Sequence, residues 1–170
     1  MIANGSPLTT KRIGPWTVWY GAGNPNADPY TKAYLAREGR LPITSTSALY
    51  YYARYDESGE PLTSQCDYVI DGVPINAAWW SLAAYDGSGR LIPNKAGRHA
   101  FNRTDIVRSA DGRFRIVLAS SARDGNWLPT GDRDALIILL RIYGPRDFND
   151  TIKGRLIEEK LPAISRARCR

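Results

Sequence analysis

The chain reads as a mainly β protein, an antiparallel jelly-roll-like β-sandwich with one short helix over about residues 28–38. Three observations predict this. Short apolar and aromatic runs of strand length recur at 13–20, 48–55, 77–86, 113–119 and 135–143. Gly, Pro, Asn and Asp punctuate them, including Asp-Gly at Asp111 and Asp124. Five Trp and ten Tyr enrich the runs with side chains that suit a pleated, half-wet surface.

Ile13 to Tyr20 predicts a strand entered through the Gly14-Pro15 turn, with Trp16 and Val18 on one side and Trp19 on the other. Asp28 is placed to cap a helix with Pro29 at its first position and Gly39 just past its end. Tyr30, Ala33 and Tyr34 form its expected buried face. From Ala48 the period becomes two: Tyr50, Tyr52 and Arg54 point one way, and Leu49, Tyr51, Ala53 and Tyr55 the other. Tyr55-Asp-Glu-Ser-Gly-Glu-Pro-Leu62 returns as Tyr85-Asp-Gly-Ser-Gly-Arg-Leu-Ile92, and each reads as a hairpin corner. The corners lack the acidic ligand set and closing Glu of a calcium loop. Ala77 to Asp86, Arg113 to Ala119 and Ala135 to Tyr143 are the remaining predicted strands. Asn126-Trp-Leu-Pro-Thr130 reads as a polar aromatic loop ahead of the last of them. A second helix over 150–160 would be interrupted by Gly154 and limited by Pro162.

The 170 residues fit one domain able to bury a core, with 1–12 and 163–170 expected as flexible ends. Lys and Arg number 23 against 17 Asp and Glu, a formal charge of +6 that is scattered rather than gathered in a basic block. The densest piece, Arg166-Ala-Arg-Cys-Arg170, reads as a solvated tail, and no nucleic-acid partner is expected. No run approaches the roughly 20 apolar residues of a membrane span. The start, Met1-Ile-Ala-Asn-Gly-Ser, also suits a chain cut just after an anchor. Cys66 and Cys169 have no metal-ligand or CxxC spacing. Two unpaired thiols is the simpler reading, and a disulfide is open to them in an oxidising compartment.

A strand bearing Trp79-Trp-Ser-Leu82 and Tyr85-Asp86 is followed by Asn94, an Asp-Gly-Arg turn, Asn126-Trp-Leu-Pro-Thr130 and Leu139-Leu-Arg-Ile-Tyr-Gly-Pro145. In that combination the chain resembles the bacterial family called domain of unknown function 1214, from Ile13-Gly-Pro-Trp16 and Asp28-Pro-Tyr30 through Pro145. The resemblance implies a jelly-roll-like fold. In short members it implies an N-terminal membrane helix that places the domain in the periplasm or cell envelope; a cytoplasmic location is the alternative. It carries over no catalytic residue.

The candidate ligand-binding residues are Trp79, Ser81, Tyr85, Asn126, Trp127, Arg141 and Tyr143. Alternation sets Ile137, Leu139, Arg141 and Tyr143 on one face, so Arg141 extends an apolar row and needs a partner. An internal salt bridge to Asp132, Asp134 or Asp86 is the simpler reading; a ligand carboxylate or phosphate is the functional one. Trp79, Ser81 and Tyr85 share a face and, with Asn126 and Trp127, make an aromatic platform for a sugar-like ligand. For Trp80 and Trp127 a core position, and for Asn126 a turn, is the plainer account. His99 stands alone with no nucleophile elbow, and Asp56, Asp86, Asp111 and Asp124 each have a turn to explain them. No metal site, cofactor motif or catalytic motif emerges. The expectation is an envelope-associated module that binds a small polar or carbohydrate-like ligand. Alternatives are a glycan-acting hydrolase or lyase, or a structural protein with an aromatic interface.

Overall fold

The computed structural model describes residues 10–37, 43–145 and 161–170. Ten strands and one helix run in the order β1 (Thr10–Ile13), β2 (Trp16–Trp19), α1 (Pro29–Arg37), β3 (Ala48–Ala53), β4 (Cys66–Gly72), β5 (Ala77–Asp86), β6 (Ala100–Asn102), β7 (Phe114–Ala119), β8 (Asn126–Pro129), β9 (Leu136–Pro145) and β10 (Ala163–Cys169). They form a six-stranded sheet in the order β1-β2-β3-β9-β5-β6 and a four-stranded sheet in the order β10-β4-β7-β8. One apolar core lies between them, to which Trp16, Tyr51, Trp80 and Leu140 contribute from the larger sheet and Tyr68, Ile70, Ile116 and Leu128 from the smaller.

Alternation places these side chains. On β3, Leu49, Tyr51 and Ala53 are buried while Tyr50 and Tyr52 are half-exposed, as the period of two predicts. On β9, Ile138, Leu140 and Ile142 face the core, each fully buried. Trp80 on β5 stacks on Phe114 of β7 across the interior, ring centroids 5.0 Å apart. Gly72 admits that ring, since a Cβ there would lie 2.1 Å from its Cζ.

The two repeated corners are built alike. Asp56 Oδ1 accepts the backbone N–H groups of Ser58 and Glu60 and the Ser58 hydroxyl. Asp86 Oδ1 does the same for Ser88 and Arg90. Gly59 and Gly89 supply the left-handed residue at φ 85° and 80°. The helix cap also forms as expected, with Asp28 Oδ1 accepting from the backbone of Tyr30 and Thr31.

Several expectations are corrected. The helix buries Thr31, whose hydroxyl bonds Asp28, while Tyr30 lies open to solvent. Tyr34 rests edge-on against Trp19 at 5.0 Å. Asn126–Pro129 is not a loop but a strand, and it pairs with β7 in parallel, the one parallel pair in the strand ladders described. Residues 10–13 form a hairpin with β2 rather than a flexible lead, and 163–169 form an edge strand rather than a flexible tail. The expected second helix at 150–160 lies outside the described residues.

The reason the C-terminal arginines form a strand is that each finds a partner there. Arg166 bonds the buried Asp56 at 2.9 Å, and Arg168 bonds Asp67 at 3.1 Å beside Arg123 at 2.6 Å. Arg170 donates to the Ser64 carbonyl and to the Ser120 hydroxyl. The Trp16 indole N–H reaches back to the Pro162 carbonyl at 2.7 Å. Cys169 pairs with Cys66, 103 residues away in sequence, so the two cysteines are a disulfide and not free thiols. The backbone register of β10 on β4 sets them opposite each other, a neighbourhood that spacing along the chain does not reveal.

Asp56 and Asp67 make stability depend on pH. Burial pushes both carboxyls up, but the Ser58 hydroxyl, the Glu60 N–H and Arg166 at Asp56, and Arg123 and Arg168 at Asp67, together hold them below the usual carboxylate range. A folded value below the unfolded value of about 3.9 means the contribution is complete above that pH and is lost as pH falls through the folded values. The urea midpoint is therefore expected to hold between about pH 5 and 7 and to drop below about pH 4. In Asp67→Asn the acid drop shrinks; an identical profile would exclude Asp67 as a source of it.

Candidate functional site

The outer face of the six-stranded sheet gathers most of the candidate residues around β9. Register sets Arg141 between Tyr50 of β3 and Ser81 of β5, and Tyr143 beside Trp79. Side chains of alternate residues share a face, so Tyr50, Trp79, Ser81, Tyr85, Arg141 and Tyr143 project on the side away from the core. Trp79 is 38% exposed, whereas its neighbour Trp80 is 1% exposed. The doubled tryptophan thus divides its two rings between surface and interior.

Arg141 is half-buried. Its Nη2 donates to the Tyr85 hydroxyl at 2.5 Å, and its guanidinium carbon lies 5.6 Å from the Tyr85 ring centroid. Among the described residues it makes no ion pair with a carboxylate. The expected salt bridge to Asp132, Asp134 or Asp86 does not form. Asp86 Oδ1 accepts three bonds from its own turn, and Asp132 receives a bond from Gln65.

Three aromatic rings extend the site. Trp79 and Tyr143 lie 5.5 Å apart at 56°, and Tyr50 and Tyr143 6.2 Å apart at 78°. Burial first, and then the hydrogen bond with Tyr143, push the Tyr50 phenol up to about 12, against the opposing pull of Arg141. The phenol therefore stays protonated and can donate a hydrogen bond at any physiological pH. Ser81 adds a buried hydroxyl next to the guanidinium.

Asn126 and Trp127 do not join this group. Both belong to β8 in the other sheet. The Asn126 amide is consumed internally: it accepts from the Val107 N–H and donates to the carbonyls of Val107 and Arg115. The Trp127 indole N–H donates to the Ala119 carbonyl. They fasten strands and loops, which is the plainer account of them. His99 lies before β6, with Nδ1 3.4 Å from the Asn94 amide nitrogen, and the Asp56, Asp86 and Asp111 carboxylates bond their own turns. Tyr50 is the residue that sequence reasoning left out of the site. Its period-two position was visible, but only the β3–β9 register puts it opposite Arg141.

An open groove of about 700 Å³ crosses the smaller sheet beside β7, lined among others by Asp71, Arg108, Arg113, Arg115 and Asp124. Its charges are largely spoken for. Arg115 and Asp71 form a two-pronged pair at 2.7 and 2.9 Å, and Arg113 lies 3.3 Å from Asp111.

Residues 47–147 match the family model described as "Protein of unknown function (DUF1214)". No curated protein matches the chain. Solved structures share its fold, two of them as follows. The VPA0106 protein from Vibrio parahaemolyticus has 22% sequence identity and a TM-score of 0.67, over 84% of this chain and 36% of its own. An uncharacterised protein from Burkholderia cenocepacia has 21% identity and a TM-score of 0.50, over 73% of this chain and 30% of its own. The chain thus spans about a third of the length of these proteins.

Proposed function

This chain belongs to the DUF1214 family, whose description assigns no activity, and from its geometry we propose that it is a binding module for a small polar or carbohydrate-like ligand. The observation that carries this reading is Arg141, a half-buried guanidinium that answers a tyrosine instead of a carboxylate and is bordered by an exposed tryptophan. Aromatic rings with a few convergent polar groups are the usual lining of a small-molecule site. We further propose that the module works outside the cytoplasm, at the bacterial envelope, held there by an anchor N-terminal to it. The Cys66–Cys169 disulfide supports the compartment, because such bonds persist where thiols are not kept reduced. Among the described residues no helix is long and apolar enough to cross a membrane.

The test is a thermal-shift screen of mono- and oligosaccharides, sugar acids, phosphorylated metabolites and divalent cations. A ligand at a hundredfold excess over its Kd stabilises by about 2.7 kcal/mol, which is readily seen. Arg141→Met is expected to melt within a few degrees of the wild type and to lose the ligand response. Silence of the wild-type protein across the panel would instead favour a structural role.

A further inference from the structure

We infer that the outer-face site takes a ring-borne monocarboxylate of the uronic acid type, its carboxylate held by Arg141 and its ring laid on Trp79. This deepens the binding reading above and rests on it.

Among the described residues, the positions around Arg141 lack an anionic partner. The residues registered beside Arg141 are Tyr50 and Ser81, and those diagonal to it are Ala48, Tyr52, Trp79 and Ala83. None carries a carboxylate. A neutral sugar presents many hydroxyl donors and needs acceptors to receive them; here the strongest groups are a guanidinium, phenols and a serine hydroxyl. Arginine has five N–H donors and one goes to Tyr85, so a fork remains for a two-pronged bond to a carboxylate. Tyr50 gives its proton to Tyr143 and keeps its phenol oxygen beside the guanidinium from the neighbouring strand, without adding a charge.

Charge selects a monoanion. Arg141 is the single cation among the positions just named, and a phosphate dianion there would keep a negative charge unanswered in a half-buried place. The strand ladders use the backbone amides that elsewhere cradle phosphate. The aromatic side then selects a ring. Trp79 stands diagonal to Arg141 across the β5–β9 pair, a separation of roughly 7–8 Å, and its tilt against Tyr143 leaves it 38% exposed. A pyranose ring bearing its carboxylate can bridge such a gap, with its apolar face on the indole.

Calorimetric titration of the whole chain should use galacturonate and glucuronate, their neutral parents galactose and glucose, inorganic phosphate, and benzoate. The expected result is that the uronates bind at least tenfold more tightly than the neutral parents and than phosphate. Arg141→Lys, which keeps the charge but loses the fork, is expected to weaken uronate at least tenfold. Trp79→Ala, at an exposed position, is expected to weaken uronate while the fold is kept. Equal binding of uronates and neutral sugars would overturn the inference and leave the binding reading standing. Tighter binding of benzoate than of uronate would overturn the sugar assignment, and tighter binding of phosphate the choice of a monocarboxylate. No binding by any sugar or acid would remove the binding reading itself.

Discussion

Loss of the Cys66–Cys169 disulfide is expected to cost about 4 kcal/mol and to lower the melting temperature by roughly 8–16 °C. The bond closes a loop spanning 103 positions, and cross-linking so long a loop removes much of the freedom of the unfolded chain. It also acts at a strand that has little else of its own. In β10, Ile164 is fully buried, but residues 165 to 169 are exposed, and Arg166 and Arg168 reach from them to the buried carboxylates Asp56 and Asp67. The arginine ends of these pairs are partly in water, and the net gain of such a pair is small once its desolvation is counted, so the covalent bond remains the main tie at the end of this edge strand. The measurement is urea and thermal unfolding of a Cys66→Ala, Cys169→Ala double variant beside the wild type with and without reductant. Reduction and double substitution should give similar losses. An unchanged midpoint in both would mean that the strand is held by Trp16, Asp56 and Asp67 without help from the bond.

Trp80→Ala is expected to be similarly damaging, at about 3–5 kcal/mol. The indole is 1% exposed, stacks on Phe114 and lies under the Arg108 guanidinium at 5.8 Å. It therefore joins both sheets, and removing it leaves a cavity that the strand backbones cannot close. Phe114 cannot fill it without giving up its seat over Gly72. The matched control is the adjacent Trp79→Ala, expected to cost under about 1 kcal/mol because that ring faces solvent. Denaturant unfolding of the two variants separates the roles. Equal losses would show that the division between surface and core is wrong.

Which of these features can be read from the chain depends on the range of the interaction. Alternation is local, so the division of β3 into Leu49, Tyr51 and Ala53 against Tyr50 and Tyr52, and the row shared by Arg141 and Tyr143, are legible before any pairing is known, whereas which row turns to the core is not. The Asp-Ser-Gly corners and the Asp28 cap are legible for the same reason, since each closes within five residues. Strand β4 escaped because Asp67 and Asp71 interrupt its apolar pattern, and only distant arginines make those charges tolerable. The C-terminal strand escaped because its arginines look solvated until Asp56 and Asp67 are brought to them from 100 or more residues away. The site divides along the same line. Trp79, Ser81 and Tyr85 share one face of a single strand, as alternation predicts, whereas relating them to Asn126 and Trp127 requires a sheet assignment that local pattern does not contain.

The position of β9 between β3 and β5 also sets an order in time. Until residues 136–145 have been synthesised, β3 and β5 have no strand to bridge them, and the larger sheet exists only as the separate units β1-β2-β3 and β5-β6. The smaller sheet is completed later still, when β10 adds to its β4 edge. At about 5–20 residues per second, the growing chain spends several seconds with its aromatic strands made and their edges unpaired. Pairings between such distant segments also close slowly, because the loop must be ordered before any contact rewards it. Folding is thus expected to be a late, cooperative event that follows emergence of the C-terminal strand, with oxidation of Cys66 and Cys169 as its final step.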